Sequence, residues 1–324
     1  MSVESCSSTV ENCQWNYYQV IVRFWENDEK SVDFLREHGV LPKSVQCPRC
    51  DKPCTLRQDT RTWRCQKLFV ENKKKPRRCT FAVADFHNTF LDNSRLPPWK
   101  IILFVNHFLS HLWDHKTVTE CLGISPATSV DWRSFCSEVT EAWFKEQEPI
   151  GGENIQVEID ETCIVRRKHE RGRLITKQLW LLGGIERETK RRFVVPLTAE
   201  RGTSRSKATL IPLIKKYVHR GSIIYTDAWR AYAGLGRLGY QHRVVNHSEN
   251  FVDPEDSSVH TQNIERLWRD IKGWVRRPGI RAAFLEQYLG RYLFITSVAN
   301  RKELLHRFFI EAHKLYRPGP PATD

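Results

Sequence analysis

The sequence predicts a multi-domain α/β protein, a mixed sheet covered by helices and preceded by a cysteine-rich ribbon and a helical module. Three observations carry that prediction. With 324 residues the chain is too long for one small core and long enough to bury a full sheet. From Ile150 onward three strand-like runs, NIQVEIDETCIV, KQLWLLGGIER and RRFVVPLTA, are followed by alternating helix and strand patterns. Ahead of them, five of the ten cysteines crowd between Cys47 and Cys79 among turn formers.

Residues 1–45 read as an N-terminal helical segment. The apolar positions of WNYYQVIVRFWENDEKSVDFLREHGVLP recur at helical spacing and stop at Gly39 and Pro42, which predicts one or two helices. Residues 46–98 read as a ribbon-like segment with short β-like pieces and a basic insert. Residues 99–149 turn helical again with WKIILFVNHFLSHLW. A short helix then ends at Gly123, a tight turn passes through Ile124 and Ser125, and a second helix opens with Pro126, the outline of a helix-turn-helix. On that second helix Ser129, Asp131, Arg133 and Ser134 are expected outward, with Val130, Trp132 and Phe135 in the core. Residues 150–301 hold the sheet. Its three strands are followed by helix SKATLIPLIKKYV, strand GSIIYTD, helix AWRAYAGLGRL, strand HRVVNH, a polar loop, and a helix within HTQNIERLWRDIKGWVRR. Residues 302–324 are expected to finish a helix and trail into a disordered tail, YRPGPPATD.

Composition bounds the partners. Hydrophobic residues make up 40% and tryptophans number 11, enough for burial to offset the ordering entropy of a folded chain. A formal charge of +13 creates a positive field that attracts a polyanion, with nucleic acid the best fit. No run approaches the roughly 18 apolar residues of a spanning helix, and MSVESCSSTVENCQ is too acidic and polar for a signal peptide. The expectation is no membrane partner and a location in the nucleus of a eukaryote, or otherwise in the cytoplasm or nucleoid.

Clustered cysteines in a reducing compartment bind metal more often than they form disulfides. CPRC, with Cys47 and Cys50, is a tight knuckle. Its natural complement is Cys65 in WRC with Cys79 in RRC, and four thiolates suit a structural Zn²⁺ that staples a small zinc ribbon. Thirteen residues separate Cys65 from Cys79, so a hairpin or insertion must bring them together, and Cys54 and His87 stand as alternative ligands. Cys6, Cys13, Cys121, Cys136 and Cys163 read as small buried hydrophobes. The insert ENKKKPRRC places Lys73, Lys74, Lys75, Arg77 and Arg78 together, as phosphate contacts, an import signal or a solvated loop.

Three acids attract chemistry. In VEIDET, Val157 and Ile159 face one way and Glu158 and Asp160 the other. Asp227 ends the strand of SIIYTDAWRAY, where ligands gather in α/β sheets. Glu265 borders the buried stripe Ile264, Leu267, Trp268, Ile271, Trp274 and Val275, on a ridge shared with Arg269, Lys272 and Arg276. Each has a bland alternative: Glu158 or Asp160 facing solvent, Asp227 capping a helix, Glu265 paired with Arg269. Together they make an oxygen-only cage for two Mg²⁺ or Mn²⁺ ions about 3.5 to 4 Å apart. The order strand Asp, strand Asp, helix Glu on such a sheet is the layout of a ribonuclease-H-like catalytic core.

From Gln46 to Leu293 the chain resembles the Merlin superfamily of cut-and-paste DNA transposases and its bacterial insertion-sequence relatives. The resemblance rests on CPRC, WRC, RRC, NTFLDNSRLP, VEIDET, LWLLGGIER, SIIYTDAWRAY, HRVVNHSENFVDP and HTQNIERLWRDIKGWVRRPG. It implies a catalytic set of Asp160, Asp227 and Glu265, with His260, Asn263 and His247 in accessory positions. It implies binding of terminal inverted repeats, cleavage of the element ends, and joining of each 3′-hydroxyl to target DNA. Double-stranded DNA would then be the partner, gripped by Lys73, Lys74, Lys75, Arg77, Arg78, Arg133, Lys272, Arg276 and Arg277, in a homodimer or larger synaptic complex. The basic insert between Cys65 and Cys79 is a departure from the pattern. Two other functions compete: a host-adopted, non-catalytic DNA-binding protein derived from a transposase, and a metal-dependent nuclease on the same core.

Overall fold

The computed structural model describes residues 13–69, 77–111, 114–164, 179–197, 205–245, 260–275 and 282–318. The chain divides into two compact units, one of Met1–Ala142 with Phe294–Asp324 and one of Trp143–Leu293.

In the first unit the N-terminal pattern resolves into two helices, α1 (Tyr17–Phe24) and α2 (Asp28–Glu37). Asn16 and Gln19 form a reciprocal capping box at the start of α1, and the Asn27 side chain accepts the Lys30 N–H at the start of α2. Strands β1 (Thr55–Arg57) and β2 (Thr62–Arg64) pair antiparallel. Strand β3 (Leu68–Phe69) pairs antiparallel with β4 (Arg77–Arg78), and β5 (Ala82–Ala84) completes a three-stranded sheet on β2. The β3–β4 pair bridges the gap between Cys65 and Cys79 that the cysteine spacing required to be closed.

Helix α3 (Pro98–Phe108) starts on its proline and is buried along most of its length. Helix α4 (His115–Leu122) stops at Gly123, whose φ of 57° ends the helix in the left-handed region, and α5 (Pro126–Lys145) follows. The inward face of α5 differs from the expected one. Ser129, Trp132, Cys136 and Val139 are buried, while Val130 and Phe135 are exposed. The physical reason is phase: positions 129, 132, 136 and 139 recur at helical spacing, and 130 and 135 fall outside that stripe. Ser129 therefore faces the core, where its hydroxyl meets His115 Nδ1 at 3.1 Å. Asp131 and Ser134 are outward as expected and Arg133 is half-buried.

The second unit is built on β6 (Ile150–Gly151), β7 (Gln156–Cys163), β8 (Trp180–Glu186), β9 (Arg192–Pro196), α6 (Lys207–Tyr217), β10 (Val218–His219), β11 (Ile223–Asp227), β12 (Gln241–Val245), α7 (Gln262–Val275) and α8 (Leu285–Thr296). Five strands form one mixed sheet in the order β12-β11-β7-β8-β9. β7, β8 and β9 run antiparallel, and β11 and β12 add in parallel to β7. That arrangement is compatible with a ribonuclease-H-like core. The segment AWRAYAGLGRL does not form the expected α-helix. It makes two 3₁₀ turns, Arg230–Tyr232 and Leu235–Leu238, because Gly234 and Gly239 sit at φ 98° and 90° and interrupt helical geometry.

Strand periodicity sorts the sheet into two faces. Val157, Ile159, Leu182, Phe193 and Val195 pack with Leu210 and Ile214 of α6. Leu181, Ile185 and Val194 pack with Ile264, Leu267, Trp268 and Ile271 of α7 and Leu289 of α8. On β7 the alternation turns Glu158 and Asp160 towards the α7 face.

The last helix, α9 (Leu304–Leu315), belongs to the first unit with residues 294–303, although the sequence grouped residues up to 301 with the sheet. Phe308 and Phe309 are fully buried there, and Phe309 meets Phe34 of α2 edge-on at 5.5 Å. The expected tail disorder concerns residues 319–324, which lie outside the described residues. Among the described residues no helix is long and apolar enough to cross a membrane.

Candidate active site

The strand carrying Asp160 is central, with β11 on one side and β8 on the other. Tyr225 pairs with Glu158 in the parallel register, so two residues further along Asp227 comes level with Asp160 on the neighbouring strand. Asp227 is half-exposed, and its Oδ1 accepts the backbone N–H of Trp229 at 3.0 Å. It therefore stabilises the turn after the strand, as a capping aspartate does, while keeping its other oxygen clear of that bond. Glu265 is exposed in the first turn of α7, with the Thr261 hydroxyl 3.5 Å from its Oε1.

Asp160 and Glu265 line one open cleft of about 540 Å³ together with Thr162, Trp268, Arg269, Lys272 and Gly273. Burial pushes the Asp160 carboxyl up to about 6, and the carboxylates of Asp227 and Glu265 add to the shift. Mutual repulsion of that kind is what a cation relieves. The three acids do not approach within 4.8 Å of one another as a group. An oxygen-only set of two strand aspartates and a helix glutamate fits a hard divalent ion in donor chemistry.

Several contacts that sequence reasoning did not supply hold this set in place. The Trp268 indole N–H donates to Asp160 Oδ2 at 3.0 Å, fixing one oxygen of the carboxylate. Gly183 lies opposite Asp160 on β8, and a Cβ there would stand 2.4 Å from the Trp268 ring. The glycine pair in LWLLGGIER is thus a packing requirement: Gly183 admits Trp268 and Gly184 admits Phe193, whose ring is 2.4 Å from where its Cβ would be.

Glu158 is the second omission. It neither faces solvent nor enters the cleft, being fully buried. Its Oε2 accepts the backbone N–H groups of Asn263 at 2.8 Å and Ile264 at 3.0 Å, the orphan donors at the start of α7. Its Oε1 accepts from the Asn263 side chain at 2.8 Å and from Arg187 Nε at 2.9 Å. Arg187 also donates to Gln156 Oε1 at 3.0 Å and to the His260 carbonyl at 2.5 Å, and stacks over Tyr225 at 3.7 Å. His260 Nδ1 is 3.4 Å from Glu158 Oε1. His260 and Asn263 are therefore brought to the base of α7, around a buried acid that nothing in the local pattern singles out.

A third acid of β7, Glu161, points to the opposite face, where Tyr232 donates to its Oε1 at 2.7 Å. Burial pushes its carboxyl up to about 7, with Asp160 and Asp227 nearby adding to the shift. Lys272 lines the cleft. His247, Arg276 and Arg277 lie outside the described residues, as do Lys73, Lys74 and Lys75. Arg77 and Arg78 are exposed on β4.

In the first unit the sulfurs of Cys47, Cys50, Cys65 and Cys79 all lie within 4.8 Å of one another. The Cys47–Cys79 and Cys50–Cys65 separations are 3.7 and 3.5 Å, close to the roughly 3.8 Å between thiolates on a tetrahedral ion with Zn–S bonds of about 2.3 Å. The cluster is compatible with a structural zinc. Cys54 is buried beside it but outside the set of four, and His87 instead sits 3.9 Å from Asp92. Of the scattered cysteines, Cys13, Cys136 and Cys163 are buried as expected, whereas Cys121 is exposed, on the outward side of a short helix with only Val118 and Leu122 inside.

Comparison with known proteins shows what the sheet unit is similar to. Residues 148–295 match the family model described as ISXO2-like transposase domain, a span that contains the whole sheet and both of the helices that cover the Asp160 face. An uncharacterized transposase-like protein of Haemophilus influenzae is 32% identical over 83 residues, which are 25% of this chain, and the chain spans 65% of that relative's length. The cryoEM structure of a simian T-cell lymphotropic virus intasome in complex with the PP2A regulatory subunit B56 gamma matches 56% of this chain and 64% of that chain, at 13% identity and a TM-score of 0.29, too low to bear on fold or function. The sheet unit is therefore similar to an insertion-sequence transposase domain, in line with the resemblance carried by the motifs.

Proposed function

We propose that the protein is a metal-dependent DNA transposase that cleaves the ends of a mobile element and joins the freed 3′-hydroxyls to target DNA. The observation that supports this most is the convergence of Asp160 and Glu265 on one cleft, with Asp227 level with Asp160 on the adjoining strand, within a unit similar to a transposase domain.

Asp160, Asp227 and Glu265 would hold the divalent ions, which when bound activate the attacking oxygen and offset charge on the leaving one. The chain's own contribution is positioning. Trp268 holds one oxygen of Asp160 in the wall of the cleft. Glu158 and Arg187 hold the start of α7, and with it the height of Glu265 above the sheet. Arg269 and Lys272, one and two turns along α7 from Glu265, present positive charge to phosphates entering the cleft. His247 is assigned to a site contact on the motif resemblance, and Arg276 and Arg277 to DNA on the basic ridge of the helix pattern. In the first unit the four cysteines would hold one Zn²⁺ as a ribbon, and α4 and α5 would present a helix-turn-helix to DNA, with Arg77, Arg78 and Arg133 as phosphate contacts. Two ends must be held together for joining, so the working form is a dimer or larger.

The test is an assay of the purified chain with Mg²⁺ or Mn²⁺ and DNA carrying the inverted repeats that flank its own gene. Cleaved ends and strand-joined products are expected, and both disappear with Asp160→Asn. Tight DNA binding with no cleavage under any metal condition would defeat this reading, and cleavage without joining would replace it with a nuclease.

A further inference from the structure

Cys13, His38 and His306 are buried in the first unit, and one donor atom from each lies within 4.8 Å of the others. They come from three separate stretches of chain: the residues preceding α1, the C-terminal cap of α2, and the first turn of α9. His38 Nδ1 meets the Phe34 carbonyl at 2.7 Å, which places its proton on Nδ1 and leaves a lone pair on Nε2. That Nε2 points at His306 Nδ1, 2.9 Å away, with the two rings nearly perpendicular at 74°. The His38 ring is also packed on Phe34, centroid to centroid at 4.0 Å, so its direction is set by both packing and hydrogen bonding.

We propose that Cys13, His38 and His306 form a second zinc site, distinct from the four-cysteine cluster, which clamps the residues before α1 and the helix α9 to the end of α2. One thiolate and two imidazoles are a borderline-soft donor set, suited to Zn²⁺ rather than to the hard ions of the carboxylate cleft. A ligating histidine characteristically donates its other ring N–H to a carbonyl or carboxylate, as His38 does to Phe34. On a tetrahedral ion with Zn–N bonds near 2.0 Å the two nitrogens would stand about 3.3 Å apart, so a small separation of the rings makes room. The His38–His306 hydrogen bond is then exchanged for two bonds to metal, with the His306 proton carried on Nε2. The thiol proton leaves to solvent as the ion binds. Three protein donors leave the fourth position to a water molecule or another exogenous ligand.

The inference does not depend on the transposase reading, and its readout is metal content rather than activity. The full-length chain, purified with zinc and with Mg²⁺ in excess to occupy the carboxylates, is measured for zinc per chain beside Cys13→Ser and His306→Gln. Each substitution is expected to lower zinc by about one equivalent while Cys47→Ser removes a different equivalent, so the losses add in the double variant. X-ray absorption at the zinc edge of the unmodified chain is the measurement that does not rely on variants folding. It should show nitrogen neighbours near 2.0 Å as well as sulfur near 2.3 Å. A purely sulfur shell, or unchanged zinc content in both Cys13→Ser and His306→Gln, overturns the proposal and leaves these residues as a buried histidine pair beside a thiol.

Discussion

The Glu158 carboxylate accepts both N–H groups of Asn263, the backbone one and the side-chain one each at 2.8 Å, across 105 positions of sequence. One buried anion thus caps the helix that carries Glu265 and binds it to the strand that carries Asp160. Glu158→Gln turns an amide towards donors and leaves Arg187 without its charge partner. Stability is expected to fall by about 3 kcal/mol in chemical denaturation, the order found when one member of a buried pair is removed. End cleavage should fall further than the unfolded fraction explains, since a displacement of about 1 Å at a reacting group can cost 10²-fold. A stable variant with full cleavage would show that α7 keeps its place without the cap.

The two glycines of β8 separate stability from chemistry. Gly183→Ala forces a Cβ against Trp268, and Gly184→Ala forces one against Phe193. Both should cost about 1 to 3 kcal/mol as overpacking, read from thermal or denaturant melts. Only the first displaces the indole that holds Asp160, so at matched stability Gly183→Ala should lose more cleavage. Equal losses would mean that the Trp268 hydrogen bond does nothing for the site.

Asp227→Asn and Glu265→Gln keep shape and remove charge. Both residues are at least partly exposed, so melting should change little. Turnover in Mg²⁺ should drop by orders of magnitude, with binding to the element ends nearly intact in a mobility-shift assay. Unchanged cleavage in Glu265→Gln would return that residue to the role of a surface partner for its neighbouring cations.

Cys47 and Cys65 are buried with Trp63 and Phe81 in a cluster too small to hold its sheet by apolar burial alone. Cys47→Ser, or exhaustive chelation, is expected to release zinc and melt the β1-β2-β5 sheet, seen as a shift in tryptophan fluorescence and loss of DNA affinity. If metal leaves and fluorescence does not move, the ribbon stands without it.

In metal-free protein the acids of β7 should make stability depend on pH. Burial raises Asp160 to about 6 and Glu161 to about 7, above the ordinary carboxylate range. A folded-state pKa raised in this way gives stability that is complete below the unfolded value, near 4, and is lost as pH rises through 6 and 7. Denaturation midpoints should therefore fall between about pH 4 and 7, and Glu161→Gln should flatten that slope. A midpoint that rises over the same window would contradict the burial assigned to Glu161.

Much of this protein was legible in one dimension because its signals are local. The strand runs of β7 to β9, the stop of α4 at Gly123 and the apolar stripe of α7 depend on periodicity and on glycine conformation, which a sequence displays directly. The CPRC knuckle with Cys65 and Cys79 was readable too, since spacing limits which thiols can meet. The order of the three acids marked a candidate site for the same reason. What failed locally failed for identifiable causes. The inward face of α5 differs from its polarity pattern because Ser129 is polar yet lies on the buried stripe, and the segment after Asp227 is not an α-helix because glycines at positive φ cut it into 3₁₀ turns. Other features existed only once the chain closed on itself. That Glu158 rather than a surface group caps α7, that Gly183 makes room for the indole on Asp160, and that Cys13 meets His38 and His306 are all juxtapositions of distant segments. Charge and polarity can be read from any of these residues alone, but a partner at 3 Å is set by packing across the whole unit, and only the tertiary structure supplies it.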